Sequence, residues 1–439
     1  MKVLKFGGTS VGTSDRLKAL IPIVNKDEPI IVVLSAMAGT TNSLFEIAEN
    51  LNKDKKQTAK EIIQKLEKNY HQIVSQLFKS EIFLKKGNEL IISHFNYIKS
   101  FTKKSFTIHQ EKAILAQGEL LSTALFHFLL KEEKIQSVLL PALNFMRIDR
   151  GTEPDEYYIQ ENLKRELQKY PNEKLFITQG YICRNAFGEI DNLKRGGSDY
   201  TASLIGSAIN ANEVQIWTDI DGFHNGDPRY VDNTSVIREL SFEEAAELAY
   251  FGAKILHPSS VRPCKDLGIP VRLKNTMNSS DEGTIIKSTS NGKEIKAIAA
   301  KDNITTIKIK SGRMLLAYGF LRKVFEVFEI YKTSVDVITT SEVAVSVTID
   351  NCDHLSCIRD ELSRYGTVEV VEDQSIICVV GDFIAERKGL ARRIFNALAD
   401  IPIRMISYGG SDHNVTLLVK QDDKVKALQL LNENLFTNE

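Results

Sequence analysis

Lys5-Phe6-Gly7-Gly8-Thr9-Ser10-Val11 is the stretch whose reading decides the fold. The apolar run Val3 to Phe6 predicts a buried strand. A helical pattern starts near Ser14 and carries Leu17, Leu20, Ile21 and Val24 on one face. Strand, glycine pair and helix in that order aim free backbone N–H groups at a phosphate. Gly7 and Gly8 have no Cβ, so a bulky anion can approach the main chain closely. Lys5 adds an ammonium at the strand end. The lysine precedes the glycines and the G-x-x-x-x-G-K-[ST] spacing is absent, so this is not a Walker loop. Taken alone, a tight turn with an incidental lysine explains a bare Gly-Gly better. The decision rests on what lies elsewhere in the chain.

A second strand, Ile30 to Leu34, opens into the small, polar Ser35 to Asn42 and then a helix, which sets another loop beside the first. Residues 53 to about 108 read as a lysine-rich helical insertion, with Ile62, Ile63, Leu66, Tyr70, Ile73, Val74 and Leu77 at helical spacing. A single long helix is predicted from about Gln110 to Lys131. Strands follow at Ser137 to Leu140, Lys174 to Ile182 and Val214 to Trp217. The turn Lys194 to Asp199 opens a helix to about Asn210, with Ser198 as its N-cap. Alternating strands and helices predict an α/β fold, a mostly parallel sheet between helices. Near Ile295 the pattern changes to two consecutive βαββα-type units, a repeat of element order. The predicted boundaries are 1–294, 295–372 and 373–439, with the strand 295–300 free to pair with the second unit.

The chain has 439 residues, 43% of them hydrophobic and 26% charged, with a formal net charge of −1. That length predicts two or three domains. Near-neutral charge provides no field for a polyanion, so no nucleic acid is expected. No apolar run is read as long enough to span a membrane, and no secretory signal pattern is read at the start. The five cysteines, Cys183, Cys264, Cys352, Cys357 and Cys378, suit a reducing cytosol better than a disulfide framework, so a cytoplasmic location is expected. Cys352 and Cys357 flank His354, but two thiols and one imidazole do not make a zinc site, and no metal ligands are assigned.

The motifs in order are Lys5 to Val11 (KFGGTSV), Ser35 to Asn42 (SAMAGTTN), Gln117 to Ser122 (QGELLS), Arg195 to Thr201 (RGGSDYT), Trp217 to Gly222 (WTDIDG), Asp227 to Arg229 (DPR) and Phe251 to Pro258 (FGAKILHP). Each is weak by itself. As an ordered set they resemble the aspartate kinases of the amino-acid kinase family, over essentially the whole chain. The resemblance implies an amino-acid kinase fold and transfer of the ATP γ-phosphoryl group to the side-chain carboxylate of L-aspartate. That reaction opens the lysine, threonine and methionine (diaminopimelate) pathway. An aspartate carboxylate, with an ordinary pKa of about 3.9, is already ionised at neutral pH and needs no general base. The remaining task is to bring an anion to a polyanion, by charge neutralisation and in-line positioning.

The resemblance also implies roles. Lys5 and Lys254 are cationic clamps on the β- and γ-phosphates, and Asp199 orients a lysine clamp. Phe6, Gly7, Gly8, Thr218, Asp219, Arg229 and Ile255 fall where the family holds nucleotide. His224 is placed there too, although many relatives carry Tyr-Thr where His224 and Asn225 stand. Mg²⁺ is expected to bridge the phosphate oxygens. Arg195 suits the substrate α-carboxylate, because a planar guanidinium pairs with it bidentately. Glu119 suits the α-ammonium. Thr41 and the Gly196-Gly197-Ser198 turn supply further hydrogen bonds.

The tail resembles a pair of ferredoxin-like ACT units. Gly319-Phe320-Leu321, Ser334-Val335-Asp336 and Thr339 to Glu342 match the effector segments of lysine-sensitive aspartate kinases. Asp336 and Glu342 would meet ammonium groups, with Ser334, Val335 and Ser341 beside them. Met314, Phe320 and Leu321 would hold an aliphatic stem. L-lysine is the implied effector, with threonine the alternative, and Ala317 stands where lysine-sensitive relatives often carry serine. ACT units usually pair across two chains, so a homodimer or larger homo-oligomer is expected. Two rival readings stay open: another kinase of the same family, acting on glutamate or acetylglutamate, and a non-catalytic ACT-type sensor. No G-x-G-x-x-G follows the tail, so no homoserine dehydrogenase fusion is expected.

Overall fold

β1 (Lys2–Phe6) and β2 (Ile30–Leu34) pair in parallel, with Phe6 opposite Leu34. The computed structural model describes the whole chain except residues 104–105, 195, 253–254, 290–291, 293, 312–317, 383–387 and 437–439. It divides into two units, Met1–Phe223 with Leu256–Ser288, and His224–Ile255 with Thr289–Glu439.

In the first unit, β3 (Val138–Leu140), β4 (Leu175–Gln179), β5 (Glu213–Thr218), β6 (Val271–Asn275) and β7 (Thr284–Lys287) complete a sheet in the order β3-β4-β2-β1-β5-β6-β7. All pairs are parallel except β6 with β7. Every residue of β2 and β4 is buried, as fits strands covered on both faces. After β4 the chain crosses to the far side of β1, so the ligand crevice of such a sheet opens at the carboxyl ends of β1 and its neighbours.

Helices Lys56–Leu77 and Glu81–Ser100 make up the helical insertion. A Cβ on Gly87 would lie 2.9 Å from Val74 Cγ1, so that glycine sets how closely the two helices approach. The predicted single helix from Gln110 is two, Ile108–Leu115 and Gln117–Glu132, parted at Ala116, whose dihedral angles stay right-handed. Residues His109–Glu132 are long and apolar enough to cross a membrane, contrary to the sequence reading. Almost all of that stretch is buried, with Leu121, Leu125, Phe126 and Leu129 in the core, so it serves as a core helix of this fold.

In the second unit, β8 (Ala297–Lys310), β9 (Ile338–Thr340), β10 (Ala344–Ile349), β11 (Thr367–Val380), β12 (Met405–Tyr408) and β13 (Asn414–Lys420) form an antiparallel sheet in the order β9-β10-β8-β11-β13-β12. The two predicted ACT units share it. Val368 to Val371 and Ser375 to Val380, read as separate strands, are one strand. Ala297–Lys301 pairs with Ile376–Val380, and Thr306–Lys310 with Thr367–Val371. The repeat survives in the helices: Phe320–Ile330 and Leu390–Ala397 each start from a left-handed glycine, Gly319 at φ +81° and Gly389 at φ +84°. Each helix has its own core beneath it.

Residues 224–255, within the predicted 1–294 domain, group with the tail in the second unit. Helix Phe242–Phe251 lies on β8 and β11. The reason is electrostatic as well as apolar: Lys296 Nζ is 3.1 Å from Glu244 Oε2, with both side chains almost wholly buried.

Candidate active site

The loop after β1 turns sharply. Gly7 N–H donates to the Trp217 carbonyl at 3.2 Å, and the Gly7 carbonyl accepts from Ser10 and Val11 at 2.9 and 3.2 Å. A Cβ on Gly8 would sit 3.2 Å from the Ala36 carbonyl, and one on Gly12 2.9 Å from Ala38 Cβ. The loops after β1 and β2 are thus pressed together, with no room for side chains between them. Ser10 Oγ meets Thr276 Oγ1 at 2.7 Å, and Thr276 donates to the Thr218 carbonyl at 3.0 Å, which ties the turn to the ends of β5 and β6. Phe6 is buried and stacks on Trp217.

Lys5 Nζ lies 2.6 Å from Asp199 Oδ1, and both side chains are mostly buried. Asp199 is in the first turn of helix Gly197–Ala208. The structure therefore joins the first motif to the RGGSDYT turn through a charge pair. A Cβ on Gly7 would lie 3.4 Å from the same ammonium. The lysine head is held at the glycine turn by its carboxylate. Thr218 is half-buried and donates to Asp219 Oδ1 at 3.1 Å, leaving the Asp219 side chain exposed.

Glu119 is buried to 3% residual exposure. Its Oε1 accepts from Ala36 N–H at 3.2 Å, and its Oε2 has no partner. Burial pushes its pKa up to about 8. Gly118 makes the approach possible, since a Cβ there would meet Ala36 Cβ at 2.7 Å. Ser122 Oγ donates to the Ser35 carbonyl at 2.8 Å and fixes the same helix to the loop after β2. Thr41 is exposed in the first turn of helix Thr40–Asn52.

The helix after the RGG turn starts one residue pair earlier than predicted. Its N-cap is Gly196, left-handed at φ +64°, and Ser198 lies inside the first turn. The left-handed glycine ends the preceding chain direction with no Cβ strain, so no serine cap is needed. A Cβ on Gly180 would lie 2.5 Å from Ser198 Oγ, and one on Gly197 2.3 Å from Tyr181 Cδ2. Arg195 and Lys254 lie outside the described residues, as does Met314.

Three contributors escape the sequence reading. The helical spacing marks Tyr70 only as a core position, yet its buried hydroxyl meets Thr40 Oγ1 at 2.9 Å, and its pKa is raised by burial with a further push from Glu119. A lone tyrosine in an otherwise aliphatic stripe is the available signal, because a buried phenol needs a partner. Gly180 and Tyr181 follow β4, where Tyr181 takes a left-handed backbone at φ +67° and its N–H donates to Thr201 Oγ1 at 2.9 Å. A glycine-aromatic pair at a strand end is the signal there.

The other assigned residues belong to the second unit. His224 Nδ1 is 3.1 Å from Thr234 Oγ1. Arg229 is gripped by Asp227, with Nη2–Oδ2 at 2.6 Å and Nε–Oδ1 at 2.9 Å. Ile255 is half-buried. In the effector segments, Phe320 is buried in the core under its helix and Leu321 is exposed. Ser334 is exposed and Val335 half-buried, while Ser341 and Glu342 form an exposed turn between β9 and β10. Asp336 is already engaged, its Oδ1 lying 2.7 Å from both Lys301 Nζ and Tyr250 OH.

Comparison with known proteins agrees with this geometry. Residues 1–275 match the amino acid kinase family and residues 377–435 an ACT domain. The lysine-sensitive aspartokinase 3 of Escherichia coli is 35% identical over 99% of both chains. Crystal structures of E. coli aspartokinase III align over 99% of this chain at 34% identity. One, with lysine and aspartate in the T-state, covers 99% of that chain at a TM-score of 0.84. The other, with aspartate and ADP in the R-state, covers 100% at 0.83. The chain belongs to the amino acid kinase family and, within it, to the aspartokinases.

Proposed function

We propose that this chain transfers the γ-phosphoryl group of ATP to the side-chain carboxylate of L-aspartate, giving 4-phospho-L-aspartate, and that L-lysine inhibits it. One observation carries the reading: Glu119 keeps a buried oxygen without a partner at the loops that also hold the Lys5–Asp199 pair. A buried carboxylate with an unpaired acceptor calls for a cation, and the α-ammonium of an amino acid is one. The relative solved with aspartate and ADP, and with lysine, supports these ligands.

In the reaction a carboxylate oxygen of aspartate attacks the γ-phosphorus, the bond to the β-phosphate bridging oxygen breaks, and ADP leaves. Lys5 neutralises charge on the phosphates, held in place by Asp199. Gly7 and Gly8 let the polyanion reach the backbone. Glu119 orients the amino acid by its ammonium, and Arg195 takes its α-carboxylate. Lys254 adds a second cation, and Thr218 and Asp219 border the nucleotide. Mg²⁺, if bound with the nucleotide through the phosphates, would supply further charge neutralisation. The donor set fits so loose a hold, since Asp199 is committed to Lys5 while Asp219 is exposed. Inhibition would act through the tail segments, in a homodimer paired through the ACT region, in the cytoplasm.

The test is ADP release with aspartate, glutamate, N-acetylglutamate or UMP as acceptor, with lysine or threonine added. Aspartate alone should support turnover, and lysine should suppress it. Turnover with another acceptor would move the chain to a sister activity. Threonine inhibition without a lysine response would change the effector.

A further inference from the structure

Asp336 has 1% of its side chain exposed, and two side-chain donors of the second unit meet its carboxylate. Lys301 Nζ donates to Asp336 Oδ1 at 2.7 Å and lies 2.9 Å from Asp350 Oδ2. The Tyr250 hydroxyl donates to the same Oδ1 at 2.7 Å, and the Lys301 ammonium rides over the Tyr250 ring at 4.8 Å from its centroid. Asp336 Oδ2 has no partner. Two carboxylates therefore face one ammonium, and one buried oxygen is left over.

The backbone of this cluster is pinned. Asp336 N–H donates to the Thr348 carbonyl at 2.9 Å, and Val337 N–H to Thr348 Oγ1 at 2.9 Å. Tyr250 is the least buried member: the residue is 45% exposed at the end of helix Phe242–Phe251. Just beyond it, Gly252 adopts φ +153°, and a Cβ there would lie 2.3 Å from the Ala300 carbonyl, the residue before Lys301. The stretch 250–252 is thus held at two points, to Asp336 through the Tyr250 hydroxyl and against β8 through the backbone at Gly252. Lys254 follows two residues later in the sequence.

We propose that Tyr250 is a positioning residue that couples ligand binding at Asp336 to the end of helix Phe242–Phe251, from which the sequence runs on to Lys254. This rests on the reading of the chain as a lysine-inhibited aspartokinase. An effector ammonium arriving at Asp336 Oδ2 draws the carboxylate toward itself. The carboxylate then has less to offer the Tyr250 hydroxyl, and the helix end is freed from Asp336. An effector can inhibit only by favouring one arrangement over another, and the hydroxyl bond makes those arrangements differ.

The experiment uses the full chain and Tyr250→Phe, which keeps the ring and removes only the hydroxyl. Turnover without lysine should fall several-fold toward the lysine-inhibited level of wild type, because the variant lacks the bond that lysine is argued to break. Lysine should bind the variant as tightly or more tightly by calorimetry, because Asp336 has one donor fewer. Yet the lysine concentration for half inhibition should rise roughly five-fold or more, the lower end of usual allosteric coupling. The ratio of lysine affinities with and without aspartate plus a non-hydrolysable ATP analogue should fall toward one. A stable Tyr250→Phe protein with wild-type coupling overturns the inference. So does one in which lysine binding and inhibition weaken together, since that is the mark of a merely structural role. A wild-type chain that neither binds nor responds to lysine overturns the regulatory reading and this inference with it.

Discussion

Glu119→Gln replaces one carboxylate oxygen by an amide nitrogen, and the structure fixes what that should do. Burial raises the Glu119 pKa from an ordinary 4.5 to about 8. At about 1.4 kcal/mol per pH unit between those values, the raised pKa costs the folded, ligand-free chain up to about 5 kcal/mol of stability relative to acid pH, about 3 kcal/mol of it by pH 7. The sign follows from the raised value. The carboxyl contributes fully to stability below pH 4.5, and that contribution is lost as pH climbs toward 8. The substituted amide has no proton to lose, and its carbonyl can still accept from Ala36 N–H. Thermal melting of wild type and Glu119→Gln should therefore coincide near pH 5. Near pH 8 the variant should melt several degrees higher, at roughly 2–4 °C per kcal/mol for a unit of this size. The same substitution removes the charge that holds the α-ammonium, so KM for aspartate should rise about 10²-fold while KM for ATP moves little. In wild type, KM for aspartate should fall as pH rises toward 8, because the ionised form binds the ammonium. Parallel melting curves across the pH range, or equal losses for both substrates, would refute the reasoning.

Three further outcomes follow from the same geometry. Lys5→Ala should lose about 10²–10³ in kcat, the usual loss for one preorganised charge contact, and near-normal turnover in a folded variant would remove Lys5 from the site. Lys296→Met removes the ammonium 3.1 Å from buried Glu244, and should destabilise the chain by about 3–5 kcal/mol in urea titration, an effect that a neutral partner variant, Glu244→Gln, should partly relieve. Glu342→Ala, on an exposed turn of the second unit, should weaken lysine inhibition with uninhibited turnover unchanged; unchanged inhibition would take Glu342 out of the effector site.

Local chemistry makes much of the site legible before any fold is in hand. A strand followed by Gly7-Gly8 could be a bare tight turn, and it is the other motifs in order that make it an anion loop with Lys5 at the strand end. The ordered motifs carry the family, and the comparison over the whole chain agrees. What fails needs distant contacts. Ser198 is a reasonable cap until Gly196 takes the left-handed position that makes a side-chain cap unnecessary. Val368 to Val371 and Ser375 to Val380 read as two strands, yet Asp373 at φ +54° and Asn303 at φ +58° lie at the irregularity where β8 and β11 shift register, and the strands run on through it. The grouping of 224–255 with the tail is not legible locally, because nothing nearby announces that Glu244 is to be buried against Lys296, 52 residues away. The unpartnered Oε2 of Glu119 is invisible too: a helix carboxylate is usually a surface group, and only Gly118 lets this one sink against Ala36.

The central claim is acyl-phosphate formation on the side-chain carboxylate of aspartate, and trapping that product tests it most directly. The chain is incubated with ATP, Mg²⁺, L-aspartate and hydroxylamine, and the aspartyl hydroxamate is identified by mass and by which carboxyl it occupies. The account predicts the side-chain hydroxamate in amounts matching the ADP released, and almost none with Lys5→Ala. ADP release without hydroxamate, or hydroxamate at the α-carboxyl, would contradict it.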